Sequence, residues 1–281
     1  MIEPRKVVTF CFSPTGTSRK NMMAIVSGMT PAECEHIDFT YQTSDDVLMV
    51  NHEDVAIFSV PVYGGKVAPI ALQRMDKVRG NMTPAILIAT YGNRNFEQAL
   101  AQLEEFVRAR GFLPIAGAAL IGEHSYSNAQ YPIAVGRPDA KDLTSAKEFG
   151  ERVKSKIIRG EKSLIDSVNI AQNMPHLETP ESSLSSFRAF VQEYTIQQQT
   201  NPVKVYPSGT PNTCTHCGTC VDLCPTQAIS TGHEEVTDTS CCIRCCACVK
   251  GCPSGARTFV SPFARPLFEN FQMRREPLYI L

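Results

Sequence analysis

The sequence predicts an α/β protein, a doubly wound parallel sheet with helices on both faces, followed by a small α+β domain organised by cysteines. Three observations carry this. Short apolar, β-branched runs alternate with amphipathic helical patterns over the first 160 residues, the signature of a parallel sheet wound by helices. The first of these runs breaks into a hydroxyl-rich turn that opens a helix. Residues 214 to 252 hold two copies of C-x2-C-x2-C-x3-C-P, CTHCGTCVDLCP and CIRCCACVKGCP. A length of 281 residues accommodates two domains, and 43% hydrophobic content is ordinary for a soluble chain.

In order, Lys6 to Phe12 reads as a buried strand. The turn Ser13-Pro14-Thr15-Gly16-Thr17-Ser18 follows, then a helix through Met22, Met23, Ile25 and Val26. Glu35–Phe39 is a short second strand. Asp54 to Val60 is a third, ending in Pro61-Val62-Tyr63-Gly64-Gly65-Lys66. Pro84 to Thr90 is a fourth, ending in Tyr91-Gly92-Asn93-Arg94. Phe96, Leu100, Leu103 and Phe106 recur at helical spacing until Gly111 stops the helix. Leu113 to Ile121 is a fifth strand, ending in Gly122-Glu123-His124-Ser125-Tyr126-Ser127, and a helix starts near Asp139. Residues 161 to 178 read as an irregular linker, ending in Met174-Pro175-His176. Thr179-Pro180 opens a short amphipathic helix bearing Leu184, Phe187, Phe190 and Tyr194, with Pro180 at its first position. The expected domains are therefore 1–160, a linker with a short helix over 161–202, a cysteine domain over 203–260, and a tail over 261–281. Phe263, Phe268, Phe271, Leu278 and Ile280 make the tail too apolar to stay free, so it is expected to dock on the body.

Two motif groups carry chemistry. A strand, a hydroxyl-rich turn with one glycine, and a helix make a phosphate-binding arrangement, because backbone N–H groups and the positive helix end face the anion. The same turn also serves as a plain helix cap. In such sheets ligands bind beyond the C-terminal strand ends, where the four loops just named gather. Each cysteine run matches the bacterial ferredoxin pattern for [4Fe-4S] clusters, in which the fourth cysteine ligates the other cluster. That assigns Cys214, Cys217, Cys220 and Cys252 to one cluster and Cys242, Cys245, Cys248 and Cys224 to the second. A zinc site would show two separated C-x2-C pairs instead. Cys11, Cys34, Cys241 and Cys246 fall outside the pattern. His216 lies between two ligands of a set that needs no histidine.

The hydroxyl turn resembles the T/S-x-T-G-x-T loop of flavodoxins, which binds the FMN phosphate, with Ser18 where that loop has threonine. Together with PVYGGK, YGNR and the double cysteine run, the chain resembles the flavodoxin–ferredoxin fusions of anaerobic bacteria, often called ferrodoxins. The likeness spans both domains and is weakest between about residues 160 and 205. It implies a flavodoxin-like FMN domain before a bacterial two-cluster ferredoxin domain. By this resemblance Ser13 to Ser18 hold the phosphate, while Tyr63-Gly64-Gly65 and Tyr91-Gly92-Asn93, within the cofactor-binding stretches Pro61 to Lys66 and Thr90 to Arg94, flank the isoalloxazine. Lys66 and Arg94 could place a cation near flavin N1 or could be solvated loop charges. His124 is a candidate proton donor at the flavin rim, with Tyr63 and Tyr126 beside it as alternatives, and it is equally readable as an ordinary loop histidine.

A formal net charge of −1 excludes a nucleic-acid binder driven by bulk charge. No run of about 18 apolar residues suggests a membrane span. The N-terminus lacks a signal-peptide pattern, so a cytoplasmic location with reduced thiols is expected. Two loaded clusters would make the protein acidic, suiting it to dock a redox protein partner. The function expected is electron transfer between two [4Fe-4S] clusters and FMN, joining one-electron and two-electron partners in the manner of an oxidoreductase. The alternatives are an FMN-dependent reductase of a small organic acceptor, fed by the clusters, and an iron–sulfur redox sensor. A homodimer is compatible with the sequence.

Overall fold

The structure, a computed structural model, describes residues 6–43, 46–161, 163–172 and 179–281. The chain begins with β1 (Val7–Cys11), α1 (Thr17–Met29), β2 (Cys34–Asp38), β3 (Leu48–Val50), β4 (Val55–Tyr63), β5 (Lys66–Val67) and α2 (Pro69–Arg74). It continues with β6 (Val78–Gly80), β7 (Thr83–Tyr91), α3 (Ala99–Arg108), β8 (Phe112–Ile121), α4 (Ala140–Ile158), α5 (Ser167–Gln172) and α6 (Glu181–Thr200). It closes with β9 (Ser208–Gly209), α7 (Thr219–Asp222), α8 (Ala247–Lys250), β10 (Arg257–Thr258), α9 (Ala264–Asn270) and β11 (Leu278–Ile280). Two compact units result. One takes Met1–Glu123, Gly136–His176 and Arg275–Leu281; the other takes His124–Val135 and Leu177–Arg274. Among the described residues, no helix is long and apolar enough to cross a membrane.

The first unit is built on a sheet of order β11-β8-β7-β4-β1-β2, with β5 paired to β4. β2, β1, β4, β7 and β8 are parallel, and counted among themselves they run 2-1-3-4-5, the doubly wound flavodoxin-like order. Strands covered on both faces must be apolar throughout, and all five residues of β1 are buried. Phe58 stacks on Phe10 with ring centroids 5.0 Å apart and takes the edge of Phe112 at 5.0 Å. The apolar tail supplies β11, which pairs antiparallel to β8, and Tyr279 stacks on Phe149 at 4.7 Å.

Helices α1 and α4 meet at two glycines. A Cβ on Gly150 would lie 2.1 Å from the Ile25 carbonyl oxygen, and one on Gly28 would lie 1.9 Å from that of Lys147. Backbone cannot yield as a side chain can, so Gly150→Ala is expected to cost ~1–3 kcal/mol. The midpoint of urea unfolding reads this directly, and an unchanged midpoint would contradict the close approach.

Several elements differ from the sequence reading. β4 runs past Val60 through Tyr63 and turns back into β5. Gly64 and Gly65 adopt φ of 59° and 83°, which supplies the positive-φ pair that a tight hairpin needs. PVYGGK is thus a strand end and hairpin tip. The expected linker is partly built. Ile165 and Ile170 are each 2% exposed, and the Ile165 N–H donates to the Pro114 carbonyl at 2.9 Å. Two isolated isoleucines are too sparse a pattern to signal this. Met174-Pro175-His176 lies outside the described residues. Pro180 is the N-cap of α6, one place before its expected position.

Around its cysteines the described part of the second unit has short elements: a 3-10 turn at Pro211–Thr213, the one-turn helices α7 and α8, and the two-residue ladder of β9 with β10. Separately, α6 and α9 join through an aromatic cluster in which Phe187 meets Phe271 at 5.0 Å and Phe190 meets Phe263 at 5.2 Å.

Candidate cofactor sites

In the first unit the parallel strands place the ends of β1, β4, β7 and β8 along one edge of the sheet. The turn after β1 begins α1. Gly16 precedes that helix at φ 81°, a left-handed conformation that glycine adopts without steric cost. The Ser13 hydroxyl accepts the Arg19 N–H at 3.1 Å, and the Ser13 N–H donates to Thr40 Oγ1 at 2.7 Å. Ser59 Oγ on β4 donates to the Ser18 carbonyl at 3.0 Å, which fixes the helix start beside the gap between β1 and β4. This gap is the switch in strand order, where doubly wound sheets bind their ligands.

Two further contacts draw the other loops in. Asn21 Nδ2 donates to Thr90 Oγ1 at 3.3 Å and to the Ile121 carbonyl at 3.2 Å. A Cβ on Gly122 would lie 2.8 Å from Thr17 Cβ and 3.0 Å from Thr90 Cγ2. The hairpin tip meets the loop after β7, because the Gln98 N–H donates to the Gly65 carbonyl at 2.9 Å. The loops of Ser13–Ser18, Pro61–Lys66 and Thr90–Arg94 thus belong to one neighbourhood.

Ser18 provides the test of fit for a phosphate. Its residue is 1% exposed, and its hydroxyl has no hydrogen-bond partner among the described residues. A buried hydroxyl left unmade costs ~1–3 kcal/mol, so a phosphate oxygen there would satisfy it. Ser18→Ala is expected to leave the melting temperature of the flavin-free protein unchanged or raised while weakening FMN binding at least tenfold. Fluorescence titration with FMN beside a thermal melt checks both halves.

The remaining candidates are placed unequally. Tyr91 is buried against Phe96 at 5.7 Å, and burial pushes its phenol up to about 12. Tyr63 keeps part of its surface, so it offers the more accessible ring for stacking. Asn93 is buried, with φ 66°, and its Oδ1 accepts the Arg275 N–H at 3.3 Å. Arg94 pairs with Glu97, while Lys66 is exposed. His124 and Tyr126 belong to the second unit. There His124 Nδ1 accepts the Tyr126 N–H at 3.0 Å, and burial pushes the Tyr126 phenol up to about 12.

The eight patterned cysteines lie in the second unit in two sets of four. Cys214, Cys217, Cys220 and Cys252 border one hollow of ≈ 260 Å³, and Cys224, Cys242, Cys245 and Cys248 border another of ≈ 290 Å³. None of the eight is in a disulfide. Each set mixes three cysteines of one run with the last of the other.

The local cause is a repeated backbone. His216 and Arg244 share φ of 51° and 55°, and Gly218 and Cys246 share φ of 75° and 61°. These left-handed residues wrap each run before its one-turn helix. Cys246 therefore stands where the repeat has glycine; it also borders the second hollow, and its Sγ lies 3.6 Å from the Arg244 carbonyl.

The donor chemistry fits a cluster. Backbone N–H groups donate to cysteine sulfur, Ala228 to Cys224 at 3.1 Å and Arg244 to Cys242 at 3.4 Å, an arrangement that stabilises thiolate. Burial pushes the metal-free Cys245 thiol up to about 12, so binding iron there must expel its proton. His216 Nδ1 bonds Glu234 Oε2 at 2.6 Å. That bond and the Gly232 N–H hold the Glu234 carboxyl at about 2, and it pushes the imidazole upward in turn. The sequence assigns no role to Glu234 or to the buried Arg257. Glu234 carries no motif. Arg257 is visible only by setting the two runs against each other.

A flavodoxin-like sheet carrying a double set of ferredoxin-type cysteines defines an iron–sulfur electron-transfer class of protein. A family model described as 4Fe-4S binding domain matches residues 210–230. Ferredoxin-1 of Chlorobaculum tepidum is 46% identical over 48 residues, covering 15% of this chain and 77% of that protein. Among solved structures, a flavodoxin from the domain Archaea aligns at 14% identity and TM-score 0.34, covering 54% of this chain and 98% of that one. Flavodoxin 1 from Bacillus cereus aligns at 18% and 0.40, covering 53% and 97%. Through its cysteine region the chain belongs to the 4Fe-4S ferredoxins, and its first unit carries a sheet of flavodoxin-like strand order.

Proposed function

We propose that the chain transfers electrons between two [4Fe-4S] clusters, each held by one set of four cysteines, and one FMN held by the loops of the first unit. The division of eight thiols into two hollows of four carries this reading, because one ferredoxin-type cluster needs four thiolates. FMN would supply conversion between one-electron and two-electron chemistry. This chain's residues would hold its phosphate at Ser13 to Ser18 and its ring between Tyr63-Gly64-Gly65 and the Thr90–Arg94 loop. The protein's share is position, burial and hydrogen bonding. The partner is a redox protein that gives or takes single electrons, or a small acceptor at the flavin.

Anaerobic purification followed by iron and flavin counts tests the reading. Eight iron atoms and one FMN per chain are expected from the donor sets, and a colourless, zinc-loaded protein would end it. Oxidation of reduced ferredoxin, assayed with and without organic acceptors, separates the carrier from the alternatives. Turnover that depends on one acceptor marks a reductase, and none with any donor marks a sensor.

A further inference from the structure

One buried charge in the second unit has no part in that reading. Arg257 follows the second Cys-Pro at the offset that Ile229 holds after the first. Ile229 is 4% exposed and packs with Cys220 and Cys248. Arg257 is 3% exposed, so a guanidinium stands where the repeat puts an isoleucine. Burying such a cation is costly unless its surroundings compensate. Nη1 donates to the carbonyls of Glu234 at 2.7 Å and Val236 at 3.3 Å. Nη2 donates to the Pro207 carbonyl at 3.2 Å and to Thr237 Oγ1, and reaches Cys248 Sγ at 3.7 Å. None of these partners is a carboxylate, so the positive charge stays unneutralised by them.

The same residue touches both cysteine sets. Its backbone N–H donates to Cys252 Sγ at 3.4 Å, in the first set, while its guanidinium meets Cys248 of the second. Arg257 also borders the hollow of Cys214, Cys217, Cys220 and Cys252. Its Nε–H is buried without a hydrogen-bond partner among the described residues, an unspent donor beside that hollow.

We propose that Arg257 is a positioning residue that sets the reduction potentials of both clusters. The inference rests on the two-cluster reading. Each cluster takes one electron from an external one-electron donor and releases nothing, so its site gains one negative charge. A fixed cation and N–H groups directed at sulfur favour that added charge and raise the potential. The carbonyl cage fixes the guanidinium on Cys248 in a residue that also borders the first hollow, and an isoleucine there would supply no cation.

The test uses full-length protein, purified anaerobically with iron counted, and potentiometric titration with dithionite followed by electron paramagnetic resonance. Arg257→Gln with wild-type iron content is expected to lower both midpoints. The expected fall is at least tenfold in the reduction equilibrium, ~59 mV for a one-electron couple. Arg257→Lys, which keeps the charge, is expected to stay within that margin. Unchanged midpoints in the Gln variant, a shift confined to one cluster, or a Lys variant falling as far as Gln would each overturn the proposal. If the variants lose iron, wild-type protein grown on nitrogen-15-labelled arginine decides. Electron–nuclear double resonance of the reduced protein should then show a guanidinium nitrogen coupled to cluster spin, and its absence overturns the proposal. Wild-type protein without any [4Fe-4S] signal would instead overturn the reading beneath it.

Discussion

Stripping iron with a chelator under reducing conditions is expected to unfold the region from about residue 207 to residue 258 and leave the flavodoxin-like unit folded. The hydrocarbon core there is small. Cys220, Ile229 and Cys248 are its buried members, with Val221, Cys224 and Val249 packed beside them. Its strands are two residues long and its helices span four. Such elements cannot hold themselves, so metal–ligand bonds become folding free energy. Without iron, the thiols of each set are left facing one hollow with nothing to join them. The first unit is different, because a broad apolar core lies on its sheet. Circular dichroism should therefore lose a minor part of its far-UV signal, and proteolysis should open within 207–258 first. Unchanged spectra and an unchanged digestion pattern would show that the polypeptide holds this region by itself. The same logic sets the cost of a single ligand change: Cys220→Ala should remove one cluster and make this region protease-sensitive without unfolding the sheet.

What could be read from the sequence follows the range of the interactions. The strand–helix alternation and the cysteine spacing are local, so β1, β4, β7, β8 and the ferredoxin-type cysteine run are legible residue by residue. Pairings across long stretches are not. Leu278–Ile280 joins β8 across more than 150 residues, and three apolar positions carry no register. The β3–β6 pair and α5 are too short to give a period. The hairpin at Gly64-Gly65 lies inside a motif whose sequence looks like a loop. The repeat sets Arg257 opposite Ile229, but an arginine in a sequence suggests a solvated surface, and only the fold shows that it is buried. Tyr63 and Tyr91 looked alike in sequence, and burial of one ring distinguishes them.

Arg137→Ala is expected to destabilise the first unit by ~3–5 kcal/mol, the cost of leaving one member of a buried ion pair alone. That is a large share of the ~5–15 kcal/mol by which a domain is stable. Arg137 and Asp142 are 6% and 4% exposed, and the guanidinium forks onto the carboxylate with two of its nitrogens. The pair has two further duties. Asp142 closes the capping box of α4, accepting the Asp139 N–H at 3.0 Å while its own N–H donates to Asp139 Oδ1 at 3.1 Å. Arg137 donates twice to the Arg275 carbonyl at 3.1 Å, just before β11. Removing the guanidinium thus strands a carboxylate, loosens a helix start and frees the segment leading to the last strand. Urea unfolding at neutral pH should show the loss, and limited proteolysis should trim residues 275–281 faster. The exposed Arg188–Glu181 pair provides the contrast, since solvated pairs contribute ~0–1 kcal/mol. A double variant, Arg137→Met with Asp142→Leu, should recover part of the single-variant loss, because no lone charge is then buried. An Arg137→Ala protein within ~1 kcal/mol of wild type would mean that water reaches Asp142 once the arginine is gone, and that Tyr279 on Phe149, the β11 ladder and the Arg275 contacts with Asn93 suffice to hold the last strand.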